Sequence, residues 1–511
     1  MRSDDLAAAV GEQAGRAGDH PALVWRGATL GYRSLWEGMQ HHAARLQAAG
    51  ASAGDRVAVW LENRPETVMA ALGAAAIGAI FVPVAPALKP RQVAHILADS
   101  GACILLSSAA RLDSLPAALR GGLTTFTVEQ PPAQAVPTPV RPTIDDDPAA
   151  ILYTSGSTGL PKGVLLPHRS LLQGAFAMAS LLGLGPADRV LAALPLSFDA
   201  GFNQVLTCLV SGATAVLHNY LHPSETIRLC AEAGVTGITG VPPLWIDLAG
   251  MEWPEAVRQR VRYFANTGGR MPQATLARLR TLLPAARPFL MYGLTEAFRS
   301  TCLPPEEVDR RPDSVGRPLP NARISVRRPS GELCEPGEVG EIVHVGACTA
   351  LGYWHNPDAT AARFREVDAP LGGLARRERQ VWSGDLGWLD EDGYLYFSSR
   401  NDAMIKVSGY RVSPTEVEEA ALATGLVREA VVLGVSDAGR DGQRIVLIAT
   451  PTDGVDRFEA ALLQALRGLV PRYMLPSRVV ALETLPRSPN GKFDRVACLA
   501  LLDAPAQAGP A

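Results

Sequence analysis

Short apolar runs alternate with amphipathic stretches through the first third of the chain. RVAVWL (56–61) precedes a helical segment over about 66–77, which leads into the apolar run AIFVPV. PRQVAHILADSG then reads as a helix and ACILLS as a strand. Apolar strands separated by helices bury both faces of a sheet, so the rhythm predicts doubly wound α/β layers. The stretch from Val68 to Leu88 carries no charge and is long enough to span a bilayer. It is rich in alanine and glycine, and Pro83 and Pro86 interrupt it. A buried helix followed by a buried strand is expected there, not membrane insertion.

The segment 121–147 is proline-rich and closes on IDDDP, the pattern of an exposed connection. After it comes ILYTSGSTGLPKGVLLPH (151–168), two apolar runs around a loop of glycines and hydroxyls. A second α/β unit should follow, containing RVLAALPLSF, GATAVL and GVTGITGVPP. From about 320 the runs shorten (RISVRRPSGEL, GEIVHVGA, GYLYFSS), which suggests a small β-rich subdomain. A further α+β unit of about 110 residues begins near 402, so the expected domains are 1–401 and 402–511. Ser413, Pro414 and Glu416 form a helix start, with Ser413 as N-cap and Glu416 closing a capping box. The tail APAQAGPA is expected to be disordered.

A chain of 511 residues exceeds one ordinary core. Its 47% hydrophobic and 19% charged content suits a globular enzyme, and a net charge of −3 without basic clusters gives no reason for a nucleic-acid partner. Seven scattered cysteines lack CxxC or zinc spacing, which points to reduced thiols in a cytoplasmic protein. Two acids in the opening MRSDDL exclude a signal peptide.

The glycine-hydroxyl loop is where chemistry enters. Glycines admit close backbone approach, hydroxyls donate, and Lys162 adds a positive charge, so a polyphosphate is the expected guest. The spacing is not that of a Walker loop, and Pro161 with the following VLL argues against a helix there. Four more stretches carry candidate chemistry. MYGLTEA (291–297) delivers Thr295 and Glu296, suited to phosphate and magnesium. WSGDLGWLDEDGYLYFSSRNDAMIKVSGYRV (382–412) offers Asp385 and Arg400 at strand ends. NTGG (266–269) is a tight turn on which a flat ring could lie. LPRSPNGKFDR (485–495) presents Lys492 on a glycine turn.

Taken together and in this order, these motifs resemble the adenylate-forming superfamily of acyl-CoA synthetases, amino-acid adenylation domains and luciferases, from about residue 20 to 497. The resemblance implies a large N-terminal domain of two α/β subdomains plus a β-rich one, followed by a small mobile α+β lid. It also implies two half-reactions: a carboxylate and ATP give acyl-AMP and pyrophosphate, and a thiol then captures the acyl group. Following the family motifs, Thr154, Ser155, Gly156, Ser157, Thr158, Gly159 and Lys162 would hold the departing phosphates. Glu296 would ligate Mg²⁺, and Thr295 would touch the α-phosphate. Gly268, Gly269, Tyr292 and Gly293 would surround the nucleotide, with Asp385 on the ribose hydroxyls and Arg400 on the ribose or phosphate edge. Lys492 would bridge the attacking carboxylate and the α-phosphate. Asp402 sits at the family's hinge, and after rotation Lys406 and Gly409 would line the path of a pantetheine arm. Ser399 and Leu294 depart from the usual pattern without removing a charge.

The stretch LPLSFDAGFNQ bears on the substrate. Phe198-Asp199 resembles the amino-acid adenylation domains, in which an aspartate meets the substrate ammonium. Arg299 is the alternative internal partner for Asp199. Ala200, Asn203, Gly240, Ala265, Thr267, Met291, Arg299 and Ser300 match the other pocket positions and leave modest room. A compact polar acid, an amino acid first and a simple acyl or aryl acid second, is therefore expected. The chain contains no carrier domain, so coenzyme A or a separate acyl or peptidyl carrier protein would supply the thiol; nothing in the sequence decides between them. A γ-phosphate-transferring kinase, an oxygen-dependent luciferase and a non-catalytic nucleotide binder are the rival classes.

Overall fold

The computed structural model describes residues 5–130, 141–154, 161–400, 405–407, 410–436, 443–452, 454 and 457–503. The expected junction at 401/402, the central loop residues 155–160, Gly409 and the tail from 504 lie outside them, as do the side chains of Arg400 and Lys406.

Two large sheets and a smaller one build the N-terminal part. The first runs in the order Gly352–Tyr353, Lys162–Pro167, Pro148–Thr154, Ile80–Pro83, Arg56–Trp60, Ile104–Ser107, Thr124–Thr127. The second contains the parallel neighbours Arg287–Tyr292, Tyr263–Asn266, Gly237–Gly240, Arg189–Ala192 and Thr214–Leu217. The expected α/β layers are present, but not as two consecutive units. The phosphate-loop hairpin closes the first sheet, with Phe81 opposite Ala150. Conversely, the early strand Pro21–Trp25 pairs in parallel with Thr214–Leu217 of the second sheet. Parallel pairing needs long crossovers, and these allow strands distant in sequence to neighbour each other.

The alanine-rich segment forms the buried helix Pro65–Ala76 and the buried strand Ile80–Pro83. Small residues are required because this helix lies tight against Tyr32–Ala48. A Cβ on Gly73 would stand 2.9 Å from the Cβ of His42, and one on Gly38 would stand 2.5 Å from the sulfur of Met69. Among the described residues no helix is long and apolar enough to cross a membrane.

The β-rich subdomain is a sheet of Ala322–Arg327, Gly340–Gly346, Arg377–Leu389, Phe364–Asp368 and Leu395–Arg400. The C-terminal unit packs the helices Pro414–Ala423 and Phe458–Leu466 on the strands Val427–Ser436, Gln443–Pro451 and Arg478–Ala481. Its first helix starts at Pro414 as expected, but no capping box forms. The Ser413 hydroxyl instead donates to the Ser398 carbonyl at 3.0 Å, tying the helix start to the last strand of the β-rich sheet.

Two buried histidines make the fold acid-sensitive. Burial, helped by Arg45, pushes His42 down to about 4; burial and Arg363 push His344 down to about 3. Neither ring nitrogen of His344 has a hydrogen-bond partner among the described residues. Both rings stay neutral when folded, whereas the unfolded chain takes up protons below about 6.5. The contribution to stability is complete above that value and is lost as pH falls toward 4 and 3. Each histidine should lower stability by about 2 kcal/mol between pH 7 and pH 5. Urea unfolding at the two pH values checks this, and His344→Leu should remove part of the difference. A pH-independent midpoint would contradict it.

Candidate active site

Three parallel strands end together, with Gly240 opposite Asn266 and Asn266 opposite Leu290. Their following turns therefore emerge at one sheet edge, the carboxyl end where open α/β sheets hold ligands. Gly268 adopts φ +73° in the NTGG turn, and the Asn266 side chain donates to the Gly269 carbonyl at 2.7 Å. Next to it, Arg287–Tyr292 runs into the short helical turn Thr295–Ala297.

Lys492 reaches this edge from the C-terminal unit. Its turn is closed by the Ser488 amide donating to the Lys492 carbonyl at 2.7 Å, and Gly491 takes φ +78°. The ammonium lies 4.6 Å from the centre of the Phe198 ring. A Cβ on Gly268 would stand 2.7 Å from Lys492 Cε, so a methyl there would push the end of the lysine side chain from its place. Two arginines dock the unit. Arg270 meets Glu419 at 2.6 Å, and Arg487 bridges Glu429 at 2.5 Å and Asp247 at 3.4 Å. Burial raises Glu419 to about 7 despite the opposing pull of Arg270.

On the phosphate side, Thr154 and Lys162 face each other across the hairpin. Lys162 Nζ lies 6.0 Å from the centre of the Tyr353 ring, and Tyr353 donates its hydroxyl proton to Glu296 Oε1 at 2.5 Å. Arg363 in turn donates to the Tyr353 hydroxyl at 3.4 Å. Burial works against the Arg363 charge, yet Tyr353, Glu296 and Asp385 together hold its pKa above the usual value. Sequence reasoning missed Tyr353 and Arg363, which come from an edge strand and a short helix with no motif of their own.

Asp385 is buried within the long strand Arg377–Leu389, opposite Arg400 and beside a register shift, not at a strand end. The glycine before it, Gly384, takes φ +71° and marks the irregularity. Tyr292 donates to Asp385 Oδ2 at 2.7 Å, and its ring lies against His344 and Phe397.

The pocket positions lie beneath. Asp199 opens the helix Asp199–Ser211 and accepts from the Thr295 hydroxyl at 2.7 Å and from the Ala200 amide at 2.5 Å. The Thr295 proton is therefore engaged with Asp199. The internal Asp199–Arg299 pair does not form. Arg299 Nε donates to Asn203 Oδ1 at 3.0 Å, and no carboxylate among the described residues lies within 4.0 Å of its guanidinium. Of the expected positions, Ala200, Asn203, Met291 and Arg299 share one cavity of about 20 Å³. Met178, Leu182, Tyr263 and Thr239 also line it and carry no sequence signal. Gly240, Ala265, Thr267 and Ser300 are buried nearby without lining that space.

The AMP-binding enzyme family matches residues 10–354, and the AMP-binding enzyme C-terminal domain matches residues 416–492. A linear gramicidin synthase of Brevibacillus parabrevis is 32% identical over 95% of this chain, which spans only 6% of that protein. Feruloyl-CoA synthase of Amycolatopsis sp is 31% identical, with 94% of this chain and 95% of the relative aligned. The solved o-succinylbenzoate CoA synthetase of Bacillus subtilis, bound to its acyl-adenylate intermediate, is 27% identical with a TM-score of 0.83, covering 98% of this chain and 99% of the other. The same enzyme has been solved with ATP and magnesium ion. On this combined likeness of sequence and fold, the chain belongs to the AMP-binding enzyme family.

Proposed function

We propose that the protein is an ATP-dependent, AMP-forming carboxylate–thiol ligase. The observation that carries this reading is the placement of Lys492, delivered by the C-terminal unit between Phe198 and Gly268 at the sheet edge. A carboxylate oxygen attacks the α-phosphorus as the bond to the pyrophosphate oxygen breaks. Anion then meets anion, and alignment plus fixed positive charge must lower the barrier. Lys492 supplies that charge at the forming bond. Lys162 and the loop Thr154–Gly159 hold the departing phosphates. Tyr292 and Asp385 orient the ribose side together with Arg400, and the glycine turn 268–269 admits the adenine.

Glu296 is suited to a magnesium ion. It is a single carboxylate held by Tyr353, whose ring centre lies 6.0 Å from Lys162 Nζ, and magnesium takes one or two carboxylates with phosphate oxygens and water. When bound, the ion would neutralise charge on the leaving pyrophosphate.

In the second half-reaction a thiolate attacks the acyl carbonyl and AMP leaves. Coenzyme A or a phosphopantetheinyl carrier protein would supply the thiol. Asp402 is the hinge in this reading, with Lys406 and Gly409 along the thiol path. The activated acid is small, and an amino acid is favoured because Asp199 is a buried carboxylate with no cation within ion-pair distance among the described residues.

Lys492→Ala should lower acyl-AMP formation by about 10²–10³, the scale for one preorganised donor. Capture of supplied acyl-AMP by thiol should persist. Separate assays of the two half-reactions check this, and equal losses would remove the assigned role.

Gly268→Ala places a methyl against the lysine stem on a backbone of positive φ, so it too should depress the first half-reaction. A first half-reaction at the wild-type rate would show that Lys492 does not occupy this position during chemistry.

A further inference from the structure

We propose that the activated acid carries a second carboxylate, and that Arg299 receives it. The inference rests on the adenylation reading for which carboxylate reacts, and on the surroundings of Arg299 for the rest. Arg299 is 6% exposed, and burial, only partly offset by Asp199, lowers its pKa without bringing it into a range where it could lose its proton. Buried charges are normally paired. This one has neutral partners, the Asn203 amide oxygen on Nε and the Phe298 ring with its centre 6.0 Å from the guanidinium carbon. Its two terminal nitrogens have no acceptor among the described residues.

A further unpartnered donor belongs to the residue that holds Arg299. Asn203 Nδ2 is buried without a partner, and Asn203 and Arg299 line one cavity. A guanidinium fork facing that space matches the two oxygens of a carboxylate. An ammonium or a neutral amide in that position would leave the arginine charge uncompensated, which is how such a site rejects analogues.

The backbone adds independent support. Phe298, fully buried, takes φ +48° and ψ −49° immediately before Arg299. A bulky residue in that conformation is strained, and strain of this kind persists where a side chain must be aimed. The existing space of about 20 Å³ holds a water-sized group. A carboxylate enters by displacing Met178 or Met291, unbranched side chains that repack readily. The substrate class is therefore a short dicarboxylic acid, and the amino group met by Asp199 is compatible with it.

The test is ATP–pyrophosphate exchange on matched sets of dicarboxylate, half-amide and monocarboxylate of equal chain length, with and without an α-amino group. Wild type should use the dicarboxylate at least about 30-fold better than the half-amide in kcat/KM, the scale for losing one partner of a buried pair. Arg299→Gln should abolish that ratio, and Arg299→Lys should restore part of it. Equal use of dicarboxylate and half-amide by wild type overturns the proposal. So does an Arg299→Gln variant that loses all substrates in the same proportion. Thermal stabilisation by the free dicarboxylate, present in wild type and lost in Arg299→Gln, separates this inference from the one beneath it. With that stabilisation but no exchange on any acid, the adenylation reading falls and the Arg299 site stands; without either, the Arg299 site falls.

Discussion

The site depends on one cation crossing from one unit of the chain to the other. Lys492 belongs to the C-terminal unit, yet its stem passes over Gly268 and its ammonium faces Phe198. The contacts that hold it there are modest. Arg270 and Glu419 keep 25% and 34% of their side chains exposed, and Arg487 and Asp247 keep 30% each. Partly exposed ion pairs contribute about 0–1 kcal/mol each, so the docking is marginal by construction. In the proposed two-step reaction, a lysine that serves only the first step is best delivered by a contact that can be released. Glu419, raised to about 7, is the part of that contact whose charge is most easily withdrawn.

The N-terminal part supplies the opposite property, rigidity. The hairpin around the phosphate loop completes one sheet while the three turns at the carboxyl edge belong to another. Early and late strands are exchanged between the sheets, which interlocks the two in sequence. The close helix contact at Gly38 and Gly73 has the same effect beneath the first sheet. Side chains that must meet to within a hydrogen bond, such as Tyr353 and Glu296 or Tyr292 and Asp385, are thereby carried on elements of these interlocked sheets and the β-rich sheet beside them.

What was legible in the sequence follows from which residues have only one physical use. Gly268 and Gly491 adopt positive φ, and the glycine turns that hold the NTGG edge and Lys492 could be read from the local motifs NTGG and SPNGK. The alanine-rich helix was legible because small residues in a long uncharged run must pack closely if they do not enter a membrane. Groups with several possible partners were not legible. Ser413 could have closed a capping box with Glu416 but found the Ser398 carbonyl instead. Tyr353 reaches Glu296, and Arg363 reaches Tyr353, only after the edge strand pairs with the loop hairpin, a contact between residues almost two hundred positions apart. The exchange of strands between sheets was hidden for the same reason, because parallel pairing leaves no local signal in the chain.

The separation of Asp199 and Arg299 is the least expected feature of the pocket. Two opposite charges in one buried region would lower each other's cost by pairing. Here each is held by neutral groups instead: Asp199 by the Thr295 hydroxyl and the Ala200 amide, Arg299 by the Asn203 amide oxygen. Neutral hydrogen bonds fix the two side chains in place without cancelling their charges. The folded protein carries that cost in the absence of ligand, and part of it is recovered when a ligand brings the missing charge. Such an arrangement contributes less to folding than a closed ion pair would, and more to discrimination. The helix Asp199–Ser211 and the strained turn at Phe298 set the spacing of the two charges, so in the proposed reading the backbone fixes where the charges stand while Met178 and Met291 adjust the room between them.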